Sequence, residues 1–171
     1  MITLLSRVKR SQIHLALKLT NHKTFVGRRI LTYRIDFSNS ARRHLNAAKT
    51  LFETTLAANQ VGNKAVAGYL YGISGELAVK EMMRRIGIKP LTKDERRDDP
   101  FFAHFPQLKT LIRDGAAGRR SGRLRTVAVD ARLFRDWNTD MRYASTSDID
   151  SNLVASWKQH AESLVAEMDL P

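Results

Sequence analysis

Apolar side chains recur every three or four residues along most of the chain, a spacing typical of amphipathic helices. No segment shows sustained alternation of apolar and polar positions, so the pattern gives no support for strands. It predicts an all-α fold, an up-and-down bundle of four to five helices within residues 31–171. The apolar positions of the predicted helices are Leu45, Ala48, Phe52 and Leu56; Val66, Tyr69, Ile73, Leu77 and Met83; Leu108, Leu111 and Ile112; Val129, Leu133, Phe134, Trp137 and Met141; and Leu153, Trp157, Leu164 and Met168.

Polar residues, glycines and prolines predict where these helices begin and end, because they favour caps and turns. A polar loop is expected between the second and third helices, over residues 88–103, and a basic loop follows the third. The predicted boundary residues are Ser38 or Ser40 at the first cap, the turn 59–63 with Gly62, Gly87, Pro106, Gly115, and the pair Ser147 and Asp150 as a capping box.

Three glycines, Gly68, Gly72 and Gly75, share one face of the predicted second helix. Each glycine lowers helix stability by about 1 kcal/mol relative to alanine, so we expect a structural reason for three of them on one face. A glycine face lets another backbone or a bulky side chain come close. The sequence leaves two interpretations open, packing inside the bundle and contact across a dimer, and the first is at least as well supported.

The first 30 residues differ from the rest, since they carry seven Lys or Arg and no acid. Three interpretations compete: a flexible basic arm that grips phosphates, a targeting peptide, or translated upstream sequence with the natural start at Leu31. We favour the third slightly, because the pattern after Leu31 resembles a complete domain. In each case we expect residues 1–30 to lie outside the core of a domain formed by residues 31–171.

Composition narrows the class of partner. The net charge of +12 favours anionic partners, chiefly nucleic acid or an acidic membrane surface, and a solvated basic surface with no specific partner would give the same number. The chain has no cysteine, which fits a reducing compartment, and we expect a cytoplasmic location. No apolar run approaches the roughly 20 residues that span a bilayer, so no membrane span is expected.

Metal and cofactor chemistry has little support in the sequence. The five histidines form no pair at the spacing of three or four that metal sites on helices use. The stretch GAAGRRSG has glycines and charge but lacks the Gly-Lys-Ser/Thr ending of a phosphate loop. We therefore expect neither metal nor cofactor, and we interpret Arg119, Arg120 and Arg123 as phosphate contacts of a basic loop.

Polar residues at three places could carry chemistry. Glu76 and Lys80 border the apolar stripe of the second helix, four residues apart, and a carboxylate half inside a core usually has a partner. A surface ion pair is the ordinary alternative. His104 begins the third helix and Arg142 with Tyr143 follows the fourth; a solvated cap and a helix end would explain each separately.

Together these residues resemble the HEPN family of helical nucleotide-binding domains. The opening helix SARRHLNAAKTLFE, the second helix AGYLYGISGELAVKEMM, the stretch HFPQL and the pattern DW-x4-RY carry the resemblance. It covers most of the chain after the leader. The family's characteristic positions correspond to Glu76, Lys80, His104, Trp137, Arg142 and Tyr143.

The resemblance implies a bundle that commonly forms a homodimer. Family members include metal-independent endoribonucleases of toxin–antitoxin or defence systems, and non-catalytic modules that bind RNA, a nucleotide or a partner protein. A nucleotidyltransferase-like antitoxin or partner is implied as well. A third alternative is a structural bundle whose basic leader binds nucleic acid non-specifically.

The resemblance also assigns roles to the site residues. Ribonuclease members carry Arg and His separated by four to six residues; Arg97 and His104 match, but Pro100 prevents a continuous helix between them. We therefore expect His104 to share a pocket with Arg142, with His104 moving protons and Arg142 holding phosphate. The remaining expected roles are orientation of Arg142 by Glu76, donation or base stacking by Tyr143, and phosphate contact by Lys80.

Overall fold

The computed structural model describes residues 33–58, 61–115 and 122–170, and within these ranges it contains helices and no strand. The helices lie in the unit Ile35–Pro171. The all-α bundle predicted from the sequence is confirmed, while the leader 1–30 lies outside the described residues. The described α-helices are α1 (Phe37–Ala58), α2 (Val61–Arg85), α3 (Gln107–Gly115), α4 (Gly122–Val129) and α5 (Ser151–Glu167), with short 3₁₀ helices at Lys93–Glu95, Thr139–Tyr143 and Thr146–Asp148.

Helix α2 is the centre of the bundle. It packs against α1, α5 and α4, and also against the 3₁₀ helix Thr139–Tyr143. Buried side chains such as Ser74, Glu76 and Val79 are spread over more than half of its circumference. A helix buried on so many sides is enclosed by other elements, and it therefore buries polar as well as apolar side chains. None of the described helices is both long and apolar enough to cross a membrane.

The glycine face of α2 receives aromatic rings from the same chain. A Cβ atom at Gly72 would lie 1.9 Å from the indole of Trp137, and one at Gly75 would lie 2.4 Å from the ring of Phe134. Both distances are far below van der Waals contact, so any side chain larger than hydrogen would displace the ring. Packing within the bundle is therefore the reason for these glycines, as the first of the two interpretations has it.

Helix α1 begins at a different cap from the one predicted. The Oδ1 atom of Asp36 accepts a hydrogen bond from the backbone N–H of Asn39 at 2.9 Å, which is the geometry of an N-cap. Ser38 and Ser40 already lie inside the helix. Aspartate is as good a cap as serine, so the predicted caps Ser38 and Ser40 are wrong and the helix begins two to four residues earlier.

Other boundaries follow the sequence more closely. Helix α2 is followed by Gly87 at a φ of 89°, in the left-handed region that favours glycine at a helix C-terminus. It starts at Val61, so Gly62 lies inside the helix and not in a turn. Helix α5 is capped by Asp150, which accepts from the N–H of Asn152 at 2.7 Å. The predicted Ser147 cap is therefore wrong.

The fourth helix is the main error of the sequence analysis. Helix α4 ends at Val129, whereas the pattern predicted a helix from Val129 to Met141. Phe134 and Asp136 have φ angles of 50° and 62°, which a right-handed helix cannot contain. Trp137 consequently lies in an irregular segment, whose rings pack on α2 instead of forming a helical stripe.

Candidate functional site

Glu76 is the buried centre of the candidate site. It lies on α2 with 2% of its surface exposed, and both of its carboxylate oxygens have partners. Oε2 is 2.8 Å from Nδ1 of His104, and Oε1 accepts the backbone N–H of Phe105 at 2.7 Å. These contacts join α2 to the segment before α3. The sequence predicted that the carboxylate of Glu76 would have a partner inside the fold. In the structure that partner is His104.

His104 presents its ring between this carboxylate and solvent. Its side chain is 52% exposed. A carboxylate only accepts hydrogen bonds, so Nδ1 carries the hydrogen that faces Glu76. In the neutral ring Nε2 then has the free lone pair. This arrangement is suited to taking up a proton from a molecule bound at the surface.

Lys80 and Asp99 complete a buried charge network. The Nζ atom of Lys80 lies 3.9 Å from Oε2 of Glu76, one turn along α2, and the residue is 6% exposed. Asp99 is fully buried, and its carboxylate accepts the N–H groups of Leu91 and Phe101 at 3.0 and 2.9 Å. Lys80 therefore balances carboxylates inside the fold, in place of the direct phosphate contact predicted for it.

Burial and charge act against each other in this network. Burial raises the pKa of Glu76, while Lys80, His104 and the Phe105 N–H oppose that rise. Burial also lowers the pKa of Lys80, and Glu76 and Asp99 work in the opposite direction. Each charge is stabilised mainly by the others, so removal of one is felt by all.

Arg142 and Tyr143 lie near a different part of α2, where Arg142 contacts Tyr69. The Arg142 guanidinium lies 4.7 Å from the Tyr143 ring centroid, and its hydrogen bond with Tyr69 is the main cause that raises its pKa. Tyr69 precedes Glu76 by seven residues, which is about 10 Å along a helix axis. The structure thus joins Glu76, Lys80 and His104, and it places Arg142 on Tyr69 rather than on Glu76.

A row of aromatic rings connects the two points. Phe105, next to His104, stacks on Phe134 with centroids 5.1 Å apart and meets Trp137 edge-on at 6.3 Å. Trp137 in turn stacks on Tyr69 at 6.1 Å. These contacts form a continuous row from Phe105, the neighbour of His104, to Tyr69, the hydrogen-bond partner of Arg142.

The sequence analysis missed a second polar cluster, which contacts the backbone of the segment that contains Phe134. The Nζ atom of Lys109 donates to the carbonyl oxygens of Asp130 and Leu133 at 2.6 and 2.8 Å. Nδ1 of His160 accepts the backbone N–H of Phe134 at 3.2 Å. Burial lowers the pKa of His160, and the charge of Lys109 adds to that effect. These groups hold the irregular segment in place.

The remaining predicted phosphate contacts lie elsewhere. Arg119 and Arg120 fall outside the described residues. Arg123 lies on α4, with Nη1 3.3 Å from a carboxylate oxygen of Glu167 in a half-exposed ion pair. Its role in phosphate binding stays a prediction.

An acidic cavity of about 330 Å³ lies beside the 3₁₀ helix Thr139–Tyr143. Its carboxylates would repel a phosphate group. Within the described ranges, no cluster of three or more His, Asp or Glu is arranged to hold a metal ion. The polar lining consists of Asp136, Asn138, Asp140, Asp148 and Asp150, and the apolar lining includes Met141, Leu153 and Trp157.

Comparisons with protein-family models, with curated proteins and with solved structures returned no match for this chain. The HEPN resemblance therefore rests on the residue pattern described above.

Proposed function

We propose that this chain is a HEPN-like helical domain that binds RNA and cuts it without a metal ion, with Glu76 and His104 as the reacting pair. The observation that carries the proposal is the contact between the buried carboxylate of Glu76 and Nδ1 of the half-exposed His104. A carboxylate behind an imidazole fixes its tautomer and stabilises its protonated form, as general acid–base catalysis requires.

The reaction would use the RNA's own 2′-hydroxyl. His104 Nε2 accepts the proton of that hydroxyl while the 2′-oxygen attacks the neighbouring phosphorus. The bond from phosphorus to the 5′-oxygen breaks, which gives a 2′,3′-cyclic phosphate and a free 5′-hydroxyl. The leaving 5′-oxygen needs a proton, and a homodimer would supply it from the protonated His104 of a second copy.

Arg142 and Tyr143 would hold the strand beside the cut. Since they are anchored about two helical turns from Glu76, they fit a neighbouring phosphate and base better than the scissile phosphate. A toxin–antitoxin or defence setting, with a nucleotidyltransferase-like partner protein, is the context that the HEPN resemblance suggests.

The test is cleavage and binding of RNA by matched variants. His104→Ala should reduce cleavage by about 100-fold or more, because a positioned proton-transfer group contributes on that order. Its binding should stay near that of the wild type, while Arg142→Ala should weaken both. His44→Ala, on α1 with its Nδ1 on the Ser40 carbonyl, is the control and should cleave normally. EDTA should leave the rate unchanged; binding without cleavage in any buffer would contradict the enzymatic proposal.

A non-catalytic module that binds RNA, a nucleotide or a partner is the second candidate. It is favoured by the separate anchoring of His104 and Arg142, which gives two contact points along α2 instead of one compact catalytic pocket. Tight RNA binding with no cleaved product in the experiment above would establish this candidate in place of the first.

A further inference from the structure

The surface next to His104 carries an exposed pair of a cation and an aromatic ring. The guanidinium carbon of Arg96 lies 4.0 Å from the ring centroid of Phe102, within the range of a cation–π contact. Phe102 is 49% exposed, and Arg96 is exposed as well. Single exposed apolar side chains are common on proteins and need no explanation. This ring differs because a guanidinium lies over it and because it precedes His104 by two residues.

The burial pattern puts Phe102 and His104 on the same side of the segment. Phe101, Ala103 and Phe105 are buried, whereas the two residues between them are exposed. Consecutive Cα atoms are about 3.8 Å apart, so the Cα atoms of the two exposed residues lie within about 8 Å of each other. A ligand that touches the His104 ring is therefore within reach of the Phe102 ring.

Contacts with α2 place His104 between two such pairs. The N–H of Phe102 donates to the carbonyl of Asp99 at 3.0 Å, and Asp99 lies near Lys80, one turn after Glu76. Arg142 stacks on Tyr143 and is tied to α2 two turns before Glu76. Along the axis of α2, the histidine is thus flanked by one cation–aromatic pair on each side.

Nucleobases are the ligands that a paired guanidinium and aromatic ring recognise best. Aromatic rings and guanidinium planes stack on the flat faces of unpaired bases, and the guanidinium also attracts the adjoining phosphate. Bases inside a duplex are already stacked on each other and cannot occupy such a surface.

We propose that Arg96 and Phe102 form a stacking platform for an unpaired base of the RNA that reaches His104. This inference rests on the proposed RNA binding and adds a surface that holds a base beside the cut. The strand would pass from one cation–aromatic pair to the other, across His104.

The experiment compares Phe102→Leu with Phe102→Tyr in the full chain. Leucine keeps an apolar side chain without a stacking face, and tyrosine keeps the face. The probes are a short fluorescein-labelled 2′-O-methyl single strand, which cannot be cut, and a duplex of the same length. Val129→Ala removes an apolar side chain that is 70% exposed on α4 and is the matched control. Thermal melting verifies that each variant is folded.

Loss of one base stack lowers single-strand affinity by roughly 5- to 150-fold, and we expect about tenfold for Phe102→Leu. Affinity for the duplex should change little, and Phe102→Tyr and Val129→Ala should bind like the wild type. A 2-aminopurine in the single strand should be quenched by the wild type and less by Phe102→Leu. Equal single-strand binding by wild type and Phe102→Leu would overturn the platform and leave the proposed function intact. A wild type that binds neither probe would overturn both.

Discussion

His104 and His160 make opposite uses of the same ring nitrogen. In His104, Nδ1 donates to a buried carboxylate, and half of the ring is exposed. In His160, Nδ1 accepts a backbone N–H from Phe134, and the ring is partly buried against the Phe134 ring, at 5.5 Å. The first ring can take up a proton without losing its hydrogen bond. The second must stay neutral, because a protonated Nδ1 cannot accept.

The comparison teaches that a histidine's partner decides whether it can act chemically. The carboxylate of Glu76 accepts a hydrogen bond from Nδ1 of His104, whereas burial and nearby Lys109 lower the pKa of His160. The His160 ring contacts Phe134 of the aromatic row, and His104 precedes Phe105 of the same row, yet we expect His104 to serve chemistry and His160 to serve the fold. Three experiments can break or sharpen this contrast.

The largest effect is expected for Glu76→Gln. The amide can offer only one oxygen to His104 and the Phe105 N–H, so the ring loses its fixed tautomer. RNA cleavage should fall by about 100-fold or more. Buried Lys80 also loses its counter-charge, so rates must be compared at a temperature where circular dichroism finds the variant folded.

Glu81→Gln provides the matched control for that variant. Glu81 is equally buried on α2 but pairs with Arg84 and Arg85, away from His104. It should lose stability while keeping its cleavage rate. If both glutamine variants cleave equally well, the carboxylate has no role in activating the histidine.

A smaller effect, on stability, is expected for His160→Ala. The buried N–H of Phe134 would lose its acceptor, which costs about 1–3 kcal/mol of unfolding free energy. His160→Asn keeps an acceptor near the position of Nδ1 and should lose less. Urea unfolding measures both. An alanine variant as inactive in cleavage as His104→Ala, although folded, would end the contrast between the two rings.

The smallest effect concerns pH. Because the pKa of His160 is lowered in the fold, the unfolded chain binds the proton more readily as pH falls below about 6.5. The stabilising contribution of neutral His160 is therefore present above that pH and is lost below it. Wild-type stability should fall between pH 7 and 5 more steeply than that of His160→Asn, followed by urea unfolding.

The difference between the stability curves of the wild type and His160→Asn isolates the titration of the His160 ring from that of other groups. Asp130 and Lys109 face His160 in both, and the carboxylates of Glu76 and Glu81 contribute to both curves alike. Parallel curves would mean that His160 already titrates as it does in the unfolded chain.

The helices that bury one continuous stripe could be predicted from the sequence. Helices α1, α3 and α5 bury side chains at the predicted positions. The stripe predicted for α2 is wrong, because Val66 is 49% exposed, Tyr69, Ile73 and Leu77 are only partly buried, and most of the fully buried side chains lie on other sides of this helix. The predicted fourth helix failed because apolar spacing cannot reveal the positive φ angles of Phe134 and Asp136. The rings of Phe134 and Trp137 fit the glycine face of α2, in contacts that are 59 and 65 residues distant in sequence.

Most residues of the candidate site could be identified from the sequence, but the contacts between them could not. Glu76 and His104 stood out by position, but 28 residues separate them, and spacing could not say which cation the carboxylate would contact. His160 carried a readable signal that was missed, since it lies three residues after Trp157 and four before Leu164 on the buried stripe of α5. A polar residue on such a stripe needs a partner.

The fluorescence of the two tryptophans of this chain reports on the packing of the bundle. Both indoles are buried, and their N–H groups donate to backbone carbonyls, Trp137 to Gly68 at 3.2 Å and Trp157 to Arg135 at 2.9 Å. Residues 1–30 contain no tryptophan. Intrinsic emission therefore follows the docking of the irregular segment and α5 on α2, without a label and without a signal from the leader. A red shift of that emission during unfolding would show when the irregular segment with Phe134 and Trp137 leaves α2.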